Sequence, residues 1–318
     1  MKLVAGDVGG TKTLLQLVEV AGTERRALRE QRFESGAYET FDDLLREFDP
    51  GDAEAACFAV AGPVLDNRAD VTNLGWKMEG DALAKAFGIG RVVLINDFYA
   101  VALGVPLLHD DDLLVLQKGK RVEGAPIAIL GAGTGLGEAA VMFTGDVWNV
   151  LPGEGGHGDF GPNDREQAEL LLHILERYGH VSWERVLSGM GLVNIDNFVR
   201  GLDRPYDEHL PGKIAELADG GDEQAQKTMA IFVDCYGAEA GNMALRLLSR
   251  GGVFLAGGIA AKNIPRFTDG KFLEAFLRKG RFRSIMESIP VNLITNPKVG
   301  LIGAVEMAVR VSRSPVSS

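Results

Sequence analysis

Cysteine is nearly absent: the chain of 318 residues has two, Cys57 and Cys235. Two thiols make neither a disulfide framework nor a four-sulfur zinc site. Both stand among apolar neighbours (AACFAV and FVDCYG), where a free cysteine acts as a small core hydrophobe. Basic charge is short as well. With 33 Lys and Arg against 44 Asp and Glu, the net charge is −11, which excludes a basic groove for nucleic acid and offers an anionic membrane nothing to attract. Long hydrophobic runs are missing. The longest, Val92 to Leu108, is shorter than a bilayer requires and carries Asn96 and Asp97 inside it. The opening MKLVAGDVGG lacks the apolar stretch of a signal peptide, so no membrane partner and a cytoplasmic location are expected.

Three familiar motifs are missing too. There is no G-x-x-x-x-G-K-[ST], which removes the Walker-type ATPases. The dinucleotide pattern G-x-G-x-x-G fails, because Leu136 stands where the third glycine belongs when counting from Gly131. No G-x-S-x-G elbow is present, against an α/β-hydrolase. The three tryptophans are scattered at core-like positions and form no platform for stacked bases. Disorder, collagen and coiled coil are excluded by an ordinary soluble composition, 46% hydrophobic and 24% charged.

What the chain has is glycine: 41 residues, about twice the usual share. Its length allows two domains or one large one. The first segment reads as strand (KLVAGDV), glycine turn (GGTKT) and a second, roughly alternating strand (LLQLVEV), with a third between Ala27 and Phe33. Thr40–Phe48 has helical spacing, Ala55–Ala61 reads as a buried strand ending in a turn at Gly62-Pro63, and Gly80–Phe87 reads as a helix. Arg91–Ile95 is a strand that runs into Asn96-Asp97 and a helix from Phe98. The pattern then repeats: Ala125–Leu130 as a strand, GAGTGLG as a turn, Glu138–Phe143 as a strand. Helices are expected over Asp164–Tyr178, with Glu166 and Gln167 in capping-box positions, over Gln224–Leu248, and over Val299–Val311. A strand at Val253–Ala256 leads into the turn Gly257-Gly258, and Ser312–Ser318 reads as a frayed polar tail. The repeat argues for a duplicated α/β architecture. The acidic run His109–Asp112 reads equally well as a hinge or a solvated loop.

Three glycine turns follow strands: Gly6–Lys12, Gly131–Gly137 and Ala256–Ile259. Glycine permits close backbone approach, so such a turn can aim several N–H groups at one anion. Thr11 and Thr134 add hydroxyls and Lys12 a cation. Asp7, at a strand end, suits Mg²⁺ held through water. Any one of these turns is equally a plain hairpin; three, two of them with threonine, point to phosphate.

Two polar clusters accompany them. Asp97 reads as a helix N-cap or as a general base taking a proton from a hydroxyl, with Asn96 beside it offering donor and acceptor to a polyol. Glu154 and His157 are three apart, a spacing that di-metal helices use. Gly155 and Gly156 between them disfavour a helix, and a rigid loop reading a hydroxyl-rich ligand fits better. Glu184 is ambiguous from spacing and defaults to a solvated helix face. His109, His173, His180 and His209 show no paired motif.

GDVGGTK resembles the first phosphate motif of the sugar kinase, Hsp70 and actin superfamily, and GAGTGLG its second. LINDFYAVALG resembles the first connecting segment, FLAGGIAAKN the adenosine motif and KVGLIGAVEMAV the second connecting helix. The joint presence of LINDF, PGEGGHGDF and ERVLSGMGLVN is similar to the bacterial glucokinase family of the non-ROK type, over residues 6 to about 308. That resemblance implies an α/β fold of two ribonuclease-H-like (actin-like ATPase) domains flanking a cleft. The small domain would span 1–107 plus 299–318, and the large one 108–298. It implies ATP and Mg²⁺ as cofactors, glucose as substrate, a homodimer, and Asp97 as the base acting on the sugar 6-hydroxyl. Asn96, Asp97, Glu154, His157 and Glu184 carry over as hexose-binding residues. Asp7, Gly9, Gly10, Thr11, Lys12, Gly133, Thr134, Gly135, Gly257 and Gly258 carry over as the nucleotide set, with Asp7 near Mg²⁺. Gly300, Gly303 and Ala304 would let the last helix pack closely on the first domain. Lys12 departs from the family's frequent Asn, and the cysteine cluster of the ROK zinc motif is missing. Competing readings are a kinase of another hexose, an actin- or Hsp70-like ATPase, which has no need of Asn96-Asp97 with Glu154 and His157, and a sugar-sensing regulator. The last wants a helix-turn-helix ahead of the first phosphate motif, where five residues stand.

Overall fold

The computed structural model describes residues 1–313. The chain divides into two compact units, Met1–Leu108 with the segment from Asn296 onward, and His109–Thr295. In the first unit, β1 (Lys2–Val8) and β2 (Lys12–Ala21) form an antiparallel pair, extended by β3 (Glu24–Glu34). Helix α1 (Phe41–Phe48) follows; Thr40 caps it by accepting from Asp43 N, and Phe41, Leu44, Leu45 and Phe48 are buried. Next, β4 (Ala55–Val60) pairs parallel with β1. Every residue of β4 is buried, as a parallel strand covered on both faces requires, and it therefore reads as an unbroken apolar run.

The stretch after Gly62-Pro63, expected as a turn, holds a separate antiparallel sheet of β5 (Val64–Leu65), β6 (Arg68–Val71) and β7 (Trp76–Glu79). Strands of two to four residues carry too little periodicity to be read from a sequence. Asn67, in the left-handed region at φ 59°, ties this sheet down: its Nδ2 donates to Val92 O (2.9 Å) and its Oδ1 accepts from Leu94 N (2.8 Å). The first unit continues with α2 (Gly80–Phe87), β8 (Arg91–Asn96), parallel to β4, and α3 (Asp97–Gly104).

The second unit opens with β9 (Leu113–Gln117), preceded by one short turn over the acidic Asp110–Asp112. It continues with β10 (Ile127–Ala132), β11 (Leu136–Thr144) and β12 (Val147–Gly153). Helices α4 (Arg165–Tyr178), α5 (Gly189–Arg200), α6 (Leu210–Asp219) and α7 (Glu223–Leu247) come next. Asp164 caps α4 by accepting from Gln167 N (2.8 Å), while the Gln167 side chain accepts from Asn163 N (2.9 Å), one residue outside the expected box. The unit closes with β13 (Gly252–Ala256), α8 (Gly258–Lys262), α9 (Ile264–Thr268), α10 (Lys271–Leu277), α11 (Arg283–Ser288) and β14 (Val291–Ile294).

The two main sheets repeat one topology. The order β3-β2-β1-β4-β8 is matched by β12-β11-β10-β13-β14, with β9 added as an antiparallel edge. In both, the first three strands are antiparallel neighbours and the last three parallel ones. Chain turns and strand ends that leave the parallel half share one edge, where such sheets bind ligands.

Helix α12 (Val299–Arg313) packs on β1, β4 and α3. A Cβ at Gly303 would lie 1.8 Å from Ala100 O, and one at Gly104 2.3 Å from Val299 O. Backbone meets backbone where α12 crosses α3, so only glycine fits at these two positions. Ser312 and Arg313 are part of α12 and not of a frayed tail; the rest of that tail lies outside the described residues. No helix of the described residues is long and apolar enough to cross a membrane.

Candidate active site

In the first unit, the expected seven-residue glycine turn is shorter than its sequence suggests. Gly6, Asp7 and Val8 belong to β1 and Lys12 opens β2, which leaves Gly9, Gly10 and Thr11 as the turn. Gly9 N donates to Lys12 O (3.0 Å), and Ser35 holds the turn from below: its Oγ donates to Gly9 O (2.8 Å) and its N to Thr11 O (2.9 Å). Gly10 backs onto Asn73, whose Nδ2 would be 3.4 Å from an added Cβ. Thr11 and Lys12 are exposed. Neither Ser35 nor Asn73 stood out in the sequence; a lone Ser after a strand and an Asn in a polar loop carry no spacing signal.

Asp7 lies near the carboxyl end of β1 and Asp97 just past the end of β8. Burial, and then the charge of Asp97, push the Asp7 carboxyl up to about 6. The Asp7 Oδ2 also faces α12, 3.5 Å from where a Gly300 Cβ would lie. Of the two acidic-or-cap readings, the cap belongs to the neighbour: Asn96 Oδ1 accepts from Tyr99 N (3.0 Å) and caps α3, and Asp97 is the first helical residue. Asp97 Oδ1 accepts from Phe98 N (2.8 Å) and from Asn96 Nδ2 (3.0 Å), and that same Nδ2 donates to Gly62 O (3.0 Å). Both amide hydrogens of Asn96 are thus engaged.

These carboxylates bear on magnesium. Among the described residues, no group of three or more His, Cys, Asp or Glu is arranged to hold a metal ion. Burial and the charge of Asp97 nevertheless make ionisation of Asp7 costly, and a hard cation bound by one or two carboxylates, water and phosphate relieves that cost. The residues fit Mg²⁺ of that kind and do not fit a protein-only metal cage.

In the second unit the glycine turn is again short. Gly131 and Ala132 end β10, Leu136 and Gly137 begin β11, and Gly133-Thr134-Gly135 remain, closed by Gly133 N donating to Gly135 O (2.8 Å). Gly133 O in turn accepts from Gly189 N (2.8 Å), at the start of α5. The third turn is a helix start: Gly257, at φ 85°, precedes α8, and a Cβ there would lie 2.4 Å from Ala132 O. Gly257 and Gly258 are therefore brought beside the Gly133–Gly135 turn. From beneath, the buried Tyr236 hydroxyl accepts from Ala132 N (3.1 Å) and reaches Leu130 O (3.3 Å) and Ala256 O (3.4 Å), pinning the ends of β10 and β13.

Glu184 is not on a solvated helix face. Its Oε2 accepts from Leu136 N (2.9 Å) and would lie 2.4 Å from a Gly135 Cβ, so it braces the Thr134 turn. Glu154 and His157 flank a single tight turn over Gly155–His157, and their side chains reach outward, with His157 Nε2 4.0 Å from Glu154 Oε2. Gly156 seats on Leu136 O, 2.3 Å from an added Cβ. The polar loop and the glycine turn are thus joined through the first residues of β11. Of the other histidines, His180 Nε2 lies 2.9 Å from Asp159 Oδ1, brought there by the bridge between Asp159 and Ser182. A pairing across 21 residues leaves no spacing motif.

A surface depression lined by Asp81, Lys85, Gly88 and Arg91 sits at the opposite end of β8 from Asn96 and holds none of these groups.

Three comparisons with known proteins bear on this arrangement. The family model described as Glucokinase matches residues 4–311. A glucokinase from Trichormus variabilis is 42% identical, over 97% of this chain and 99% of its own. Among solved structures, the glucokinase of an Antarctic psychrotroph superposes with a TM-score of 0.87 at 29% identity, over 97% of this chain and 99% of that one. The glucokinase of Balamuthia mandrillaris, solved in complex with glucose, superposes with a TM-score of 0.78 at 25% identity, over 96% and 93%.

Proposed function

The chain belongs to the glucokinase family, and from that premise we propose that it transfers the terminal phosphoryl group of ATP to the 6-hydroxyl of glucose. The observation that carries the reading is the brace that Glu184 gives the Thr134 turn. The Glu184 carboxylate grips the backbone at Leu136 N (2.9 Å), so the groups that read a sugar and the turn that holds phosphate move as one piece.

Phosphoryl transfer asks for positioning and charge stabilisation more than covalent help. The backbone of Gly9, Gly10, Gly133 and Gly135, with the hydroxyls of Thr11 and Thr134, cradles the phosphates, and Lys12 adds a cation. Gly257 and Gly258 leave room for adenosine. Asp7 would hold Mg²⁺ through water, and the ion would supply charge neutralisation to the phosphates. Glu154, His157 and Glu184 accept and donate hydrogen bonds to the sugar hydroxyls. Asp97 takes the proton of the 6-hydroxyl as that oxygen attacks. Asn96 has spent both amide hydrogens on Gly62 and Asp97, which leaves it an acceptor toward the sugar and the group that orients the base.

The strand order repeated in the two sheets supports a ribonuclease-H-like reading of each unit. Two buried free thiols suit a reducing compartment, and the reading includes a homodimer. An assay of ADP release with a panel of hexoses tests the assignment: turnover is expected with glucose and Mg²⁺ and is lost in excess chelator. Equal ADP release without any sugar would sink it.

A further inference from the structure

Glu138 is the one acidic side chain on the buried part of β11, 5% exposed in a strand whose neighbours are apolar. It stands opposite Leu130 on β10 and opposite Gly153 on β12, the residue that leads into Glu154. Its carboxyl group reaches under the loop: a Cβ at Gly155 would lie 2.0 Å from Glu138 Oε2 and 3.4 Å from Glu138 Cβ. The other oxygen, Oε1, is fully buried without a hydrogen-bond partner. Nothing in the chemistry proposed above uses this group, and a buried carboxylate without a partner is costly.

We propose that Glu138 is a positioning residue for the sugar-reading loop: its carboxyl group is the surface on which Gly155 seats, and so it sets where Glu154 and His157 stand. The inference rests on the glucokinase reading, because it gives the loop a sugar to hold. The groups facing Glu138 explain how the seat works. From α7 come Glu239, fully buried, and Arg246, with the Tyr236 hydroxyl nearby. Glu239 is already committed to Asn242 (2.7 Å) and Arg246 (2.6 Å), and Lys279 joins through Asn242 (2.7 Å). The loop itself offers only glycine backbone, and β10 offers Leu130. Burial first, and then the Glu239 charge against a smaller pull from Arg246, push the Glu138 carboxyl up to about 7. Below that pH the seat is a neutral acid that fits its dry surroundings. Above it, a second buried carboxylate appears beside Glu239, repels it, and draws water under Gly155. The loop then loses its fixed position and the sugar its partners.

The experiment compares wild type with Glu138→Gln, which keeps the length and cannot ionise, by measuring KM for glucose, KM for ATP and kcat across pH. In the wild type, KM for glucose is expected to rise roughly tenfold between about pH 6.5 and about pH 9, with KM for ATP nearly constant. In Glu138→Gln that rise should vanish. If Glu138→Gln does not fold, Glu138→Met, neutral and of similar length, takes its place. The same pH slope in wild type and variant, or equal changes in KM for glucose and ATP, would overturn the proposal. A wild type that turns over ATP indifferently to hexose would instead remove the sugar reading and this inference with it.

Discussion

Asn96 Nδ2 donates to Asp97 Oδ1 at 3.0 Å, so the residue that caps α3 also fixes the carboxylate beside it. The backbone N of Phe98 holds the same oxygen at 2.8 Å. Replacing Asp97 by Asn keeps the shape and removes the base, so kcat should fall by about 10²–10⁴, while calorimetry still detects glucose binding. Near-normal turnover would reject the assigned base. Asn96→Ala should lower kcat less, and it should also lower thermal stability by the loss of a cap, about 1 kcal/mol.

Glu154 and His157 stand on a loop whose glycines Gly155 and Gly156 seat closely on β11, and their largely exposed side chains, 4.0 Å apart, point outward. A charged hydrogen bond to a hydroxyl is worth about 1.5–3 kcal/mol. Glu154→Ala should therefore raise KM for glucose by roughly ten- to a hundredfold and leave KM for ATP within about twofold. His157→Ala should follow the same pattern. A variant whose ATP affinity falls as far as its glucose affinity would contradict the division of labour.

Much of this was legible in the sequence where one residue type or one period carries the whole constraint. Strands such as β4 and β13, buried on every side chain, read as apolar runs, and glycine marks the turns at Gly9, where an added Cβ would lie 2.9 Å from Lys12 O, and at Gly257, where both space and φ exclude a side chain. The extent of the turns was not legible, since Gly6 and Gly131 sit inside strands, Gly6 where an added Cβ would meet Leu15 and Phe58. The small sheet β5–β7 escaped because two- and four-residue strands have no period. Ser35, Tyr236 and the brace made by Glu184 escaped for a different reason. Each works through a partner far along the chain, Gly9, Ala132 and Leu136, and spacing cannot see such partners. Glu138 left one trace, an acid inside an apolar strand, which is a conflict between local and global preference and a mark of a special site.

Gly257 combines a left-handed φ of 85° with an approach of 2.4 Å between an added Cβ and Ala132 O. An alanine there meets both penalties at once, the backbone strain alone costing roughly 1–2 kcal/mol. The strain falls on the contact between α8 and the end of β10, beside the Thr134 turn. Gly257→Ala is expected to lower Tm and to raise KM for ATP about tenfold or more while sparing KM for glucose. Gly258→Ala, where an added Cβ meets nothing within 4 Å, is the control and should fold as the wild type does. Equal stability in the two variants would show that the close approach at Gly257 does not matter.

Glu138 also leaves a thermodynamic signature independent of catalysis. Its carboxyl has an ordinary value of 4.5 when the chain is unfolded and is pushed up to about 7 when folded. Between these two values the folded state holds a proton that the unfolded state has released, so stability falls as pH rises through this window and levels off above it. Carboxylates held low by hydrogen-bond donors, such as Asp222, which accepts from Ala225 N and then from Arg200, act in the opposite sense and lose their contribution as pH drops. A wild-type curve therefore mixes both, and the difference between wild type and Glu138→Gln isolates one. Relative to wild type, Glu138→Gln should gain on the order of 1–3 kcal/mol between about pH 5 and about pH 8 in urea unfolding. A difference that stays constant over that range would mean that Glu138 is already ionised in the folded protein.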